Sequence, residues 1–179
     1  MKRNLPVVAV VGSGSEAHEP LATEVGRLLA GEGVHLCCGG GGGVMEAVCR
    51  AFVTAPGSRR GLAISVLPGN IEEGRHAPRP GYPNPWVELP MHSHLPLSGI
   101  TGTSAMSRNH LIILSAAAVV ALPGGAGTLS EISLARMYGK PWIAFAEGPH
   151  QFPDALECEG VTFTTDPWEL RAFLRRALR

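Results

Sequence analysis

Lysine is nearly missing from this chain. Only Lys2 and Lys140 occur among 179 residues. A pyridoxal-phosphate enzyme needs an interior lysine for its Schiff base, so that chemistry has almost no candidate. Net charge is missing as well, with fifteen Lys and Arg against fifteen Asp and Glu. A balanced chain offers no long-range attraction to nucleic acid or to an anionic membrane, and any phosphate it binds must be held by local geometry. No run of about twenty apolar residues exists, which excludes a helical membrane span. The N-terminal MKRNLPVVAVVGSG has a basic start, but its apolar run is short and ends in a glycine turn without a small-residue cleavage site. It reads as a first buried strand rather than a signal peptide, and the expected location is the cytoplasm. The four cysteines lack a metal or redox spacing. Cys37 and Cys38 are adjacent in an expected strand and point to opposite faces. With Cys49 on a helix and Cys158 in a late loop, they read as reduced thiols.

What the chain does have is apolar periodicity. Hydrophobic residues make up 45% and charged residues 17%, enough for one well-buried domain over residues 1–179. Continuous apolar runs at 7–13, 34–40, 61–69, 118–124 and 141–147 predict buried strands, and VTFTT near the end predicts a short one. Helical patterns lie between them at 20–33, 43–55, 104–116 and 128–139. A last helix begins with Asp166 as N-cap, Pro167 at N1 and Glu169 at the capping-box position. Such alternation requires a parallel sheet covered on both faces. The expected fold is a doubly wound, Rossmann-like α/β domain. The stretch 70–103 breaks the pattern, being rich in proline, glycine and histidine, with only WVELPM (86–91) resembling a strand. A segment this long without structure is usually functional or mobile, and its Arg75, His76 and Arg79 could close over a ligand or stand exposed as a mobile flap.

In doubly wound sheets, ligands bind outside the carboxyl ends of the strands. Three strands here end in glycine-bearing turns: Gly12-Ser13-Gly14-Ser15, Gly39 to Gly43, and Gly124-Gly125-Ala126-Gly127. All three would open at one sheet edge. Gly40, Gly41, Gly42 and Gly43 precede a helix, whose free N–H groups suit an anion; a flexible turn is the alternative. A dinucleotide fingerprint also wants an acidic residue ending the second strand, and Cys37-Cys38 stand there instead. In LPGGAGTLSE (122–131), Thr128 is an apt N-cap and Glu131 completes a capping box. Glu131 is therefore either a helix cap or a group with chemistry to do. His92 and His94 share one face of an extended chain, but no further ligands follow at a metal spacing, so no metal site is expected. Arg108, on the helix preceding this strand, would be a solvated residue or a ligand; Asn109 beside it is a modest helix former and suggests a positional role.

LPGGAGTLSE resembles the PGGxGTxxE signature of the LONELY GUY family, whose members have often been labelled lysine decarboxylases. Arg108 stands sixteen residues before Gly124, as that resemblance requires. GGGGGVMEAV is similar to the family's GGGxxGLMGxVA, with Gly43 and Met45 on matching positions. The likeness runs from the first strand to Phe145. It implies hydrolysis of the N-glycosidic bond of a nucleoside 5′-monophosphate, with no cofactor required. Glu131 would activate water or stabilise charge on the ribose, and Arg108 would hold the phosphate or assist the departing base. Gly124, Gly125, Gly127 and Thr128 would cradle the phosphate, with Gly12 and Ser13 from the first loop beside them. A homodimer or larger even-numbered homo-oligomer is implied. The family's phosphoribohydrolases read MHERK where this chain reads AMSRN, and CGSS where it reads GSGS. The Arg108-Asn109 pair, the glycine run and the shorter length resemble a sister branch, the molybdenum-cofactor carrier proteins. Those bind a phosphate-bearing pterin and break no bond.

Overall fold

The computed structural model describes residues 4–69, 71–72, 75–77 and 79–179. In chain order, β1 (Val7–Val11), α1 (Glu19–Gly31), β2 (His35–Cys38), α2 (Val44–Val53) and β3 (Ala63–Leu67) come first. A small hairpin, β4 (Ile71–Glu72) with β5 (Arg75–His76), precedes β6 (Leu89–His92). Then follow α3 (Asn109–Ser115), β7 (Ala118–Ala121), α4 (Ala126–Met137), β8 (Trp142–Phe145), β9 (Phe163–Thr164) and α5 (Pro167–Ala177). Seven strands form one sheet in the order β6-β3-β2-β1-β7-β8-β9. Every pairing in it is parallel. The chain moves outward from β1 through β2, β3 and β6, then returns to place β7 on the other flank of β1. The topological switch point therefore lies between β1 and β7.

The alternation of side chains along each strand divides the core in two. Val8 and Val10 of β1, with Leu36 and Cys38 of β2, pack against Val25 and Leu29 of α1, Phe52 of α2 and Leu170 of α5. Ala9, Val11 and Cys37 face the other way, toward Ile112 and Ile113 of α3 and Ile132 and Leu134 of α4. Cys37 and Cys38 thus point to opposite faces, and Cys38 Sγ lies 3.6 Å from Cys49 Sγ. Continuous apolar strands make sense only because both faces are covered.

The strand-like WVELPM (86–91) of the 70–103 segment gives β6, shifted slightly along the chain, which pairs in parallel with β3; as an edge strand it tolerates Pro90. Two local details differ from expectation. The helix expected from residue 104 begins only at Asn109. Ser107 bridges to Leu97, and the Arg108 N–H donates to the Leu97 carbonyl at 3.1 Å, which holds the preceding residues out of the helix. At α5, Asp166 caps as expected by accepting from the Trp168 N–H at 2.8 Å. The return arm of the capping box is not made with Glu169, because the Asp166 N–H donates to Thr164 Oγ1 at 3.0 Å.

Candidate functional site

The loops after β1, β2 and β7 meet at the switch point. The Ser13 N–H donates to the Pro123 carbonyl at 3.0 Å, and the Val44 N–H donates to the Ser13 carbonyl at 2.9 Å. The β1 loop is thereby pinned between the start of α2 and the turn before α4. A cavity of about 290 Å³ opens there, lined by Gly12, Ser13, Gly14, Ser15, Met45, Tyr82, Ser98, Gly99, Arg108, Asn109, Gly125, Gly127, Thr128 and Glu131. Nine of these are residues singled out from the sequence.

Helix α4 begins at Ala126 with Gly125 as N-cap, and no side chain caps it. The capping box expected from Thr128 to Glu131 is therefore absent: the N-cap lies three residues earlier, which puts Thr128 at N3 and Glu131 in the second turn. Released from capping, Glu131 reaches the cavity. The amides of Ala126, Gly127 and Thr128 open the helix without intrahelical acceptors, and they carry its partial positive charge.

Arg108 sits at the N-cap of α3 and is only 3% exposed, yet its Nε and Nη1 have no hydrogen-bond partner among the described residues. Asn109, 1% exposed, likewise leaves both Oδ1 and Nδ2 without a partner among them. Buried polar groups are nearly always satisfied, so two adjacent unsatisfied side chains on one cavity wall mark a place prepared for a ligand. Glu131 has its pKa pushed up to about 7, because burial disfavours the carboxylate; the Arg108 charge pulls the other way without cancelling it. The cavity thus combines a buried guanidinium with two nitrogens unpartnered among the described residues, a free helix N-terminus and a carboxyl group poised at neutrality. It suits an anion.

The remaining glycines lie behind this surface. Gly124 packs under it, where a Cβ would come within 2.7 Å of the Ser13 nitrogen. Gly40, Gly41, Gly42 and Gly43 do not line the cavity. The first amide of α2 goes to Ser13, and Gly43 has φ +60 with the Ser13 carbonyl pressed against the position of a Cβ. Gly39, placed in the run but not among the expected ligand residues, matters more: a Cβ there would overlap the Arg108 guanidinium. Tyr82, Ser98 and Gly99 were also missed. The unusual length of the 70–103 segment was the only signal for them, and no local pattern picks out the residue. Arg79 from that segment ties it down, donating from Nη2 to the Pro96 carbonyl at 3.1 Å and from Nη1 toward Ser98 Oγ at 3.4 Å. The side chains of Arg75 and His76 lie outside the described residues.

Comparison with known proteins bears on the fold and the family. An uncharacterized protein of Archaeoglobus fulgidus is 30% identical over 135 residues, covering 74% of this chain and 75% of the relative. The molybdenum cofactor binding protein of Rippkaea orientalis superposes with a TM-score of 0.75 at 24% identity, over 99% of this chain and all of that one. DNA processing protein A of Helicobacter pylori, described for single-stranded DNA binding, shares the fold with a TM-score of 0.68 at 16% identity, over 96% of this chain and 80% of that one. Residues 5–169 match a single family across both half-cores and all three loops, and the chain belongs to the SLOG cluster4 family.

Proposed function

We propose that the cavity binds a nucleoside 5′-monophosphate and that the chain hydrolyses its N-glycosidic bond, releasing the base and ribose 5-phosphate. What supports this is the meeting, in one cavity, of Arg108, buried with Nε and Nη1 unpartnered among the described residues, and Glu131 poised near neutrality. The phosphate rests on the first turn of α4 at Gly125, Gly127 and Thr128, with Arg108 adding fixed positive charge. Anchored by that end, the sugar is held against Glu131. As the bond to the base breaks, the base departs with the bonding electron pair and takes up a proton. Positive charge grows on the ribose ring, and the Glu131 carboxylate stabilises it. The same carboxylate takes a proton from the water that adds to C1′, a task suited to a group titrating near pH 7. Neither this chemistry nor the binding needs a resident cofactor.

Glu131→Gln tests the proposal. Base release from a panel of nucleoside monophosphates is expected to fall by about a hundredfold or more, within the usual range for an acid–base group, while folding is kept. Wild-type protein that releases no base from any of them, yet is thermally stabilised by one phosphorylated ligand, would sink the hydrolase.

Asn109 supports a second reading. Its unpartnered Oδ1 and Nδ2 offer one acceptor and two donors to the edge of a ring, and the Rippkaea orientalis structure is that of a molybdenum cofactor binding protein. The cargo would then be the pterin phosphate of the molybdenum cofactor, carried unchanged. Molybdenum measured in protein purified from a molybdopterin-producing host separates carrier from hydrolase.

For assembly we propose a homodimer through α3 and the end of α4, where Leu111, Leu114 and Met137 stand 41%, 49% and 66% exposed. A monomer by sedimentation at micromolar concentration counts against it.

A further inference from the structure

The proline-rich segment before β6 has no part in the chemistry just described, yet it places one aromatic ring on the cavity wall. We infer that Tyr82 is the platform on which the ligand's planar ring stacks, so that the cavity prefers a phosphorylated ligand bearing a purine-sized heterocycle to a sugar phosphate alone. This rests on the mononucleotide reading and specifies its other end.

Arg108, Asn109, Thr128 and Glu131 bring polar groups to the cavity wall; Tyr82 and Met45 bring apolar surface, Tyr82 being the single aromatic lining it among the described residues. Sheet order sets the separation of Tyr82 from the first turn of α4. Met45 follows the β2 loop, against which Tyr82 packs; Thr128 follows the β7 loop, and β1 runs between β2 and β7. Two strand spacings, about 10 Å, lie between those loops, which leaves room for a ribose between a phosphate and a ring.

Tyr82 is also held rigidly. Asn84, 4% exposed, staples its segment to the glycine run. The Asn84 N–H donates to the Gly40 carbonyl at 2.7 Å, its Nδ2 donates to the Gly41 carbonyl at 2.9 Å, and its Oδ1 accepts from the Trp86 N–H at 3.1 Å. The phenol then lies against bare backbone: a Cβ on Gly41 would come within 2.9 Å of both Cζ and Oη of Tyr82 and 3.0 Å of the Met45 methyl. The middle of the glycine run is therefore bare so that an aromatic ring can approach it. A ring fixed in this way loses little freedom when a base stacks on it.

The test is calorimetric titration of adenosine 5′-monophosphate and of ribose 5-phosphate into Glu131→Gln protein, with and without changes at Tyr82. Adenosine 5′-monophosphate is expected to bind more tightly than ribose 5-phosphate. Tyr82→Ala should weaken the nucleotide by about tenfold or more, the usual effect of removing a stacking partner, and ribose 5-phosphate by less than about twofold. Tyr82→Phe, which keeps the ring, should hold the nucleotide within about twofold by the same reasoning. An unchanged nucleotide affinity in Tyr82→Ala overturns the inference. So does an equal loss for both ligands, since Tyr82 would then only shape its loop. Equal affinity of the Tyr82-intact protein for the two ligands overturns it while leaving the mononucleotide reading intact. If neither ligand binds, both fall together.

Discussion

After β2 the chain runs through five glycines, and after β7 it runs through Gly124-Gly125-Ala126-Gly127, both on the same sheet edge and both leading into a helix. The first loop is full. Gly39 backs the Arg108 guanidinium, Gly41 backs Tyr82, and Gly43 meets the Ser13 carbonyl. The second is open at its mouth: a Cβ on Gly125 would touch nothing within 4 Å, and the amides beyond it face the cavity. Glycine serves protein contact in one loop and ligand access in the other. The sequence motif is the same in kind, so the distinction rests on what each loop packs against.

The contrast can be broken most sharply at Gly43. Gly43→Ala forces a side chain into φ +60 and against the Ser13 backbone. The expected cost is about 3 kcal/mol or more, combining backbone strain with overpacking, visible as a fall in Tm on the order of 10 °C in a thermal scan. Gly125→Ala is the counterpart in the open loop. It should leave Tm nearly unchanged, since φ there is −92 and the space is empty. Affinity for a phosphorylated ligand should fall by about tenfold, because the methyl crowds the donors at the helix start. If both variants lose stability alike, the two loops do not differ as described.

Glu131, on the helix that the open loop begins, sharpens the comparison through pH. Its folded pKa of about 7 lies above the unfolded value of 4.5, so the unfolded chain releases this proton first as pH rises. Its contribution to stability is fully present below about pH 4.5 and is lost as pH rises through about 7. Glu131→Gln should remove that decline, giving a flatter profile of Tm against pH and a higher Tm than wild type above pH 7. The smallest effect concerns α5. Asp166→Ala should cost about 1 kcal/mol in chemical denaturation as a lost cap. Glu169→Ala should stay within about 0.5 kcal/mol, because its return arm is not made.

Much of this was legible beforehand. The apolar runs predicted five of the seven strands in the sheet to within a few residues, because burial on both faces leaves an unmistakable pattern, and the strand-like WVELPM and VTFTT marked the two edge strands β6 and β9. Convergence of three loops followed from strand direction alone. Arg108 and Glu131 were readable because their motif spacing is fixed. The capping box was misjudged for a physical reason: Thr128-Leu129-Ser130-Glu131 satisfies the local rule, but Ala126 and Gly127 adopt helical angles as readily, and the helix starts with them. Tyr82, Asn84 and the packing role of Gly39 were invisible because their partners lie some forty to seventy residues away. Contacts at that separation leave no periodicity behind.

Arg108 has one consequence beyond the reaction. A buried guanidinium whose Nε and Nη1 have no partner among the described residues costs stability, and an anion bound there, as proposed, would offset that cost. Occupancy and folding are then thermodynamically linked, and the free concentration of ligand becomes a variable of conformational stability. At a hundred times Kd that linkage is worth about 2.7 kcal/mol. A melting scan across small phosphorylated molecules would thus read, as heat resistance, which of them the cell keeps this chain folded around.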